Sequence, residues 1–408
     1  MSSNPSGTIE TPPIIVAGTG PVGLIAALAL ADLGIPVVLA GRAPAAADRR
    51  TTALMTPALD YLDRLGVLEG LKRKAAPLKA MRIVDATGRV VRSPPVTFRA
   101  AEIGQDHFGL NIPNRDLNEA LEAALASRPG VDRRDVMIAA WTIAADEVVA
   151  RLDDGAVVEG ALAVAADGRL SPARKAAGIR TSATAYPQAA LVLNFAHSRG
   201  HGFVSTEFHT ETGPFTQVPL PGDRSSLVWV VRPNTAEELI ALSDAALSAR
   251  IEERMQSMLG KVSVEAGRQV YPLGATLPAR FAQNRVALVG EAAHVFPPIG
   301  AQGLNLGIRD VRDLVGIVGE NIPDPGSDRA MAAYDRKRRP DVLARAGAVN
   351  LLNRSLLSDM LPAQIARSAG LGVVGGLAPL RALFMREGLQ PGSGLASVFS
   401  DLREQIRR

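Results

Sequence analysis

The sequence predicts an α/β protein with two sheets, one parallel and one antiparallel, followed by a helical C-terminal region. Three observations carry that expectation. The opening alternates short apolar runs with a helical stretch, the middle holds four strand-like runs between turn residues, and the last quarter is dense in helical pattern. At 408 residues the chain is long for a single core, so two interleaved domains are expected.

Residues 1–13, MSSNPSGTIETPP, are polar and rich in Pro and Ser, which predicts a disordered lead-in rather than a targeting segment. Ile14 to Ala17 is apolar and ends at a glycine, as a buried parallel strand should. Val22 to Leu33 has helical apolar density and stops at Gly34, and Val37 to Ala40 is strand-like again. Together they make one βαβ unit. Asp116 and Glu119 are spaced as a capping box, with Asp in place of Ser or Thr, for a helix through Leu125. Ala161 to Ala166 and Val286 to Gly290 read as further strands of the first sheet.

Leu191 to Phe195, Phe203 to Phe208, Phe215 to Leu220 and Leu227 to Val231 are separated by Gly, Pro, Ser and Asp, which predicts a separate antiparallel sheet. After Gln302 the pattern is helical to the end, with breaks expected near Pro323–Pro325, Pro340 and Pro379. The resulting division assigns 14–80, 111–185 and 281–345 to the first domain. It assigns 81–110 and 186–280 to the second, and 346–408 to the helical C-terminal region.

Composition narrows the chemistry. The chain has no cysteine, which excludes disulfides, thiolate metal sites and iron–sulfur clusters and fits a reducing, cytoplasmic setting. A net charge of +4 is small for this length and does not suggest nucleic-acid binding. The most apolar stretch, Ser368 to Leu380, is thirteen residues long with four glycines and a proline, too short to span a bilayer. His197, His201 and His209 lie among Ser198, Arg199, Gly200 and Gly202, a loop pattern unlike helical zinc spacing, so no metal site is expected. The run Arg336 to Arg339 reads as a solvated helix face.

Three motifs carry chemistry. Gly18-Thr19-Gly20-Pro21-Val22-Gly23 lies between strand and helix. Gly18 permits the tight turn, Gly20 lets the backbone approach a pyrophosphate, and Gly23 allows close helix–strand packing. Its strand–turn–helix context raises it above a lone glycine pattern, which any tight turn can show. The acid that usually holds a ribose at the end of the second strand is missing, since Gly41 stands there, followed by Arg42. The second motif is Asp167-Gly168-Arg169 with Ser171 and Arg174, which taken alone is equally well a plain turn. In the third, Arg285 to Gly290 delivers Glu291 at a strand end, and a Pro/Gly loop from Pro297 opens a helix. An acid there suits sugar hydroxyls, and a helix N-terminus suits an anion.

In order and separation these motifs resemble those of class A flavoprotein monooxygenases. Finer marks resemble the ubiquinone-biosynthesis hydroxylase family: Ile112-Pro113-Asn114-Arg115, Tyr186 to Val192, Gly213 to Leu220, Leu227 to Trp229, Pro298 to Asp310, and Tyr334 with Arg338. The resemblance covers about residues 14–390. It implies a Rossmann-like FAD-binding fold of the p-hydroxybenzoate-hydroxylase type, with the antiparallel sheet as substrate domain. It further implies FAD as cofactor, NADPH or NADH as electron donor, and transfer of one oxygen atom from O2 to an aromatic ring.

By that resemblance FAD is held by Gly18, Gly20, Pro21, Val22, Gly23, Arg42, Arg50, Arg115, Asp167, Gly168, Gly290, Glu291, Gly303, Leu304 and Asn305. Pro298, Gly300 and Gln302 border the reacting ring, and His294 is structural. The implied substrate is a lipophilic, polyprenylated phenol or quinol. The implied partners extend to a biosynthetic multiprotein complex, the surface of the inner membrane and a second copy of the chain. A small-phenol hydroxylase and a non-catalytic scaffold are the rival readings. Three residues depart from the family pattern: Gly41 for Glu, Glu291 for Asp, and Ala301 for Gly. They predict weak FAD binding, and Gly41→Glu should tighten it if the strand end has room.

Overall fold

The computed structural model describes residues 12–43, 48–88, 92–298, 302–357 and 376–389. Most of the lead-in, Gly300 of the predicted site, and residues 368–375 of the most apolar stretch lie outside the described residues.

β1 (Ile14–Ala17), α1 (Pro21–Ala31) and β2 (Val37–Ala40) form the expected βαβ unit. Every residue of both strands is buried, which is why neither shows an alternating pattern. α1 is buried without interruption from Gly23 to Leu30, because it packs on the sheet and on the helix Gln302–Glu320. A helix covered on both sides has no polar face to display, and its sequence is apolar all round.

The first sheet has six strands in the order Ala282–Gln283, Val286–Leu288, Leu162–Ala165, β1, β2 and Val131–Arg134. All neighbours are parallel except the edge pair Ala282–Gln283 and Val286–Leu288. β1 sits centrally, with the following strand β2 on one side and the distant Leu162–Ala165 on the other, so the turn after it opens at the crevice where such folds bind nucleotides. The strand Val131–Arg134 and a three-stranded meander (Ile138–Ile143, Val148–Leu152, Val157–Gly160) have no clear signature in the sequence. Three charged residues in four hide Val131–Arg134.

The second sheet has eight strands. Its centre, Thr181–His197, Arg224–Val231, Gly213–Leu220 and Val204–Thr210, is antiparallel as expected. It is not wholly so. Ala80–Asp85 joins it parallel to Val204–Thr210, which places an early segment of the chain beside a late one and makes the sheet mixed. One face packs Leu191, Leu193, Phe208, Phe215, Leu227 and Trp229 against the helices Pro233–Ala241 and Asp244–Arg254.

Other expectations are corrected. The helix expected from a capping box at Asp116 starts at Asn114, directly after the strand Gly109–Pro113, with no side-chain cap. Asp116 instead lies in its first turn and binds Lys74 at 3.0 Å. The helix Asp328–Leu357 runs through Pro340 without ending. Nor is Arg336 to Arg339 a uniform solvated face: Arg336 and Lys337 are exposed, but Arg338 is only 2% exposed. Among the described residues, no helix is long and apolar enough to cross a membrane.

Candidate active site

The turn after β1 fits a bound pyrophosphate for distinct reasons at each glycine. A Cβ on Gly18, whose φ is +106°, would overlap the Ala166 carbonyl oxygen, and one on Gly23 would overlap the Gly18 carbonyl oxygen. Those two residues close the turn against the Asp167 motif and bring α1 onto the strand. A Cβ on Gly20 would meet nothing within 4 Å, so that position faces open space. Gly20 is also the N-cap of α1 and supplies no side chain to its first N–H groups, which leaves them for an anion. Pro21 occupies the first turn, where it sacrifices no hydrogen bond. Val22 is used in packing: Cβ atoms added to Gly290 or Gly307 would press on its methyls at 3.0 and 2.7 Å.

Asp167 adjoins this turn. Its Oδ2 accepts from Ala173 N at 3.0 Å and caps the short helix Pro172–Ala176, while its Oδ1 is buried without a partner. Burial outweighs these hydrogen bonds and the nearby Arg174, and raises the Asp167 pKa above its ordinary value. An unpartnered acceptor beside a nucleotide turn is a fitting place for a ligand hydroxyl. Arg174 ties the motif to the third, donating to Ala292 O at 2.7 Å and Arg169 O at 2.8 Å.

The third motif is fixed by a buried charge network. Asp310, 0% exposed, accepts from Gly290 N at 3.0 Å, lies 2.7 Å from His294 Nε2, and receives Arg338 Nε at 2.8 Å. Arg338 also donates to Asp313 at 2.8 Å and Asp341 at 3.1 Å, and Tyr334 Oη donates to Leu288 O at 2.8 Å. Cation and carboxylates are thereby held against one another, as a buried charge requires, while Arg338 Nη2 is left without a hydrogen-bond partner. The network presents Glu291 at the surface of the short turn Gly290–Ala292 and gives His294 its structural place. Asn305 pins the other end of the loop: it accepts from Met55 N at 2.9 Å and donates to Ala53 O at 2.7 Å. Gly303 has nothing within 4 Å of an added Cβ, and Leu304 is half-buried in the same first turn. Pro298 is exposed before the loop and Gln302 is the first residue of the helix.

Arg50 reaches the same cleft. It forms a bidentate pair with Asp48 at 2.8 and 2.7 Å, lies 5.7 Å over the Tyr271 ring, and feels the charge of Glu291. Burial acts against the Asp48 carboxylate, but hydrogen bonds from Arg50 and Asn114 hold it below its ordinary value. Arg115 lies outside this cluster, exposed and 3.6 Å from Glu119. Arg42 is 71% exposed and pairs with Asp153 at 3.1 Å. The strand end has little room for the missing acid. A Cβ on Gly41 would sit 3.0–3.1 Å from Thr19, including its backbone N, and Thr19 Oγ1 is hydrogen-bonded to Arg42 O. Gly41→Glu is therefore expected to disturb this turn rather than tighten binding.

Asp48 and Tyr271 were not singled out in the sequence, whereas Asn114 and Asp310 lay in segments that resemble the family without a role for their side chains. Asp310 left a further signal, an acid among the apolar positions Leu306, Leu314 and Ile317 of one helix. His197 and His209 lie in strands of the second sheet, near Ser225 Oγ at 3.0 Å and Glu207 at 2.8 Å, and His201 lies in the connection between two of its strands, near Leu220 O at 3.0 Å.

A parallel sheet with this turn, this orphaned acid and this braced loop defines a flavin-type dinucleotide-binding protein. The model of the FAD binding domain family matches residues 11–346. The chain belongs to this family of FAD-dependent monooxygenases, and FAD is its cofactor. It is 34% identical to the ubiquinone hydroxylase UbiL of Rhodospirillum rubrum, over 92% of this chain and 89% of that one. It is 29% identical to the 3-demethoxyubiquinol 3-hydroxylase of Escherichia coli, over 88% and 93%. The crystal structure of p-nitrophenol 4-monooxygenase PnpA from Pseudomonas putida superposes with a TM-score of 0.74 at 23% identity, covering 94% of this chain and 98% of that chain, and shares the fold.

Proposed function

We propose that the chain hydroxylates the aromatic ring of a polyprenylated phenol or quinol in ubiquinone biosynthesis, using O2 and NADPH or NADH. The observation that carries the reading is the convergence of the three loops on one cleft, in a chain that shares about a third of its residues with a ubiquinone hydroxylase along nearly its full length. FAD, when bound, supplies the redox chemistry and the activation of O2. The residues of this chain bind and orient. Gly20 and the first N–H groups of α1 meet the pyrophosphate, Asp167 and Glu291 offer acceptors to the sugar-like hydroxyls, and the helix opened by Gln302 sets its positive end toward the ring. Pro298, Gly300 and Gln302 border the reacting centre in this account, and the second sheet is the substrate wall.

The same reading extends to a lipophilic substrate delivered at the membrane surface, to a biosynthetic complex and to a homodimer. The test is turnover of a prenylated phenol beside simple phenol by the FAD-loaded protein. Preference for the prenylated ring supports the reading. Equal or better use of phenol makes it a small-phenol hydroxylase, and turnover of neither ring by the FAD-loaded protein makes it a non-catalytic scaffold.

A further inference from the structure

The second sheet has one face on the helices Pro233–Ala241 and Asp244–Arg254 and another turned toward the nucleotide-binding part. The junction fixes that orientation. Asn194 Nδ2 donates to Arg49 O at 3.0 Å, and Thr51 Oγ1 donates to Ser226 Oγ at 2.9 Å, while Asn194 and Ser226 are themselves register partners. Two residues further along the strands, on the same face, lies a row that runs Ile83, Glu207, Thr216, Val228, Val192 and Gln269 in register. All six are half-buried, whereas their neighbours Leu191, Leu193, Phe208, Phe215, Leu227 and Trp229 on the opposite face are buried. The row is therefore less completely covered than the opposite face.

Within that row, half apolar and half polar, stands one carboxylate. Glu207 is 19% exposed at its side chain. Its Oε1 lies 2.8 Å from His209 Nε2, and its Oε2 accepts from Thr216 Oγ1 at 3.3 Å. His209, 3% exposed at its side chain, is in the right place to present an Nε2–H to the carboxylate. Of the other acids on this face, Asp85 is occupied by Thr87 and Ser93 within its own hairpin, and Glu265 by Arg224. An ionised carboxylate accepts about four hydrogen bonds, so each Glu207 oxygen keeps a lone pair for a further donor. A carboxylate taken out of water is costly unless it is hydrogen-bonded, and the bracing by His209 and Thr216 offsets that cost at Glu207.

We propose that Glu207, braced by His209 and Thr216, accepts the hydroxyl of the substrate's ring and so fixes which carbon faces the oxygen-transferring centre; this rests on the aromatic-hydroxylase reading above. A hydroxyl that donates to a carboxylate gains electron density on its oxygen, and the ring carbons ortho and para to it become better acceptors of an electrophilic oxygen atom. Glu207 thus acts as a positioning and activating group, with Val192, Val228 and Ile83 holding the apolar part of the ring.

The experiment titrates FAD-loaded protein with 2-prenylphenol and with its O-methyl ether, following the bound flavin's absorbance. Wild type is expected to prefer the phenol by about tenfold or more, the usual worth of a hydrogen bond to a charged group. Glu207→Gln should bring the two dissociation constants together by weakening the phenol alone, and Thr216→Val should narrow the gap by less. In parallel, the fraction of NAD(P)H consumption that ends in hydroxylated product should fall in Glu207→Gln while FAD content stays at the wild-type level. A phenol preference that survives Glu207→Gln, or a loss shared equally by phenol and ether, overturns the role given to Glu207 and leaves the hydroxylase reading standing. Wild type that binds FAD but neither ring overturns the hydroxylase reading and the proposal with it.

Discussion

The nucleotide side of the cleft and the sheet side are built from different kinds of residue. On the nucleotide side the decisive positions are those where a side chain cannot be added, Gly18 and Gly23, and those where a buried charge holds a loop, Asp310 with Arg338. On the sheet side they are alternate positions of neighbouring strands, Val192, Val228, Thr216 and Glu207, brought into one row by register. The first kind tolerates almost no change and leaves a fixed spacing in the chain. The second tolerates exchange of one side chain for another, so a common scaffold can present different rings to the same cofactor.

That contrast can be broken at several points. Arg338→Met removes the cation from between Asp310, Asp313 and Asp341 and should cost about 3–5 kcal/mol in urea unfolding. A loss under about 1 kcal/mol would mean that the network is not what holds the third motif. Gly23→Ala should cost about 1–3 kcal/mol by overpacking, whereas Gly20→Val, which faces open space, should leave unfolding unchanged and abolish FAD binding. Flavin occupancy at the wild-type level in Gly20→Val would show that this turn does not meet the pyrophosphate.

Asp167→Asn sharpens the same side. Its carboxylate is disfavoured by burial and has one orphaned oxygen, so the substitution should stabilise the FAD-free protein by about 1 kcal/mol. The sign with pH follows from the raised folded pKa. The wild-type contribution is present below the unfolded value near 3.8 and is lost as pH rises through the higher folded value, and the variant should lack that decline. Wild type and variant with parallel pH–stability curves would contradict it. On the sheet side, Val228→Ala removes half-buried apolar surface from the wall. It should raise KM for a prenylated phenol by about threefold to tenfold with FAD affinity unchanged. A change in FAD affinity of the same size would erase the distinction between the two sides.

How much could be read in advance follows the same division. Ile14–Ala17, the glycine turn and Val37–Ala40 are legible because strand, tight turn and apolar helix each impose residue types in adjacent positions. The four central strands of the second sheet were legible from their turn residues. The parallel pairing of Ala80–Asp85 with Val204–Thr210 was not, since nothing local marks a partner more than a hundred residues away. Arg338 was marked by its pairing with Tyr334, but its burial was hidden in a basic run, because burial depends on which side of the helix Asp328–Leu357 meets Asp310. Glu207 carried no signal: an acid two residues before a histidine in a strand is ordinary until register sets it among Val192, Val228 and Ile83. Gly41 was recognised as a departure, but its crowding by Thr19 depends on how the turn after β1 folds back.

The central claim is that this cleft places an aromatic ring where one oxygen atom from O2 is transferred to it. FAD-loaded protein supplied with NADPH, a prenylated phenol and 18O2 tests it most directly, with mass spectrometry of the organic product. The account predicts a hydroxylated ring carrying one 18O atom, formed only when the nicotinamide donor and the phenol are both present. Consumption of NADPH with hydrogen peroxide as the sole product, at a rate indifferent to the phenol, would contradict it.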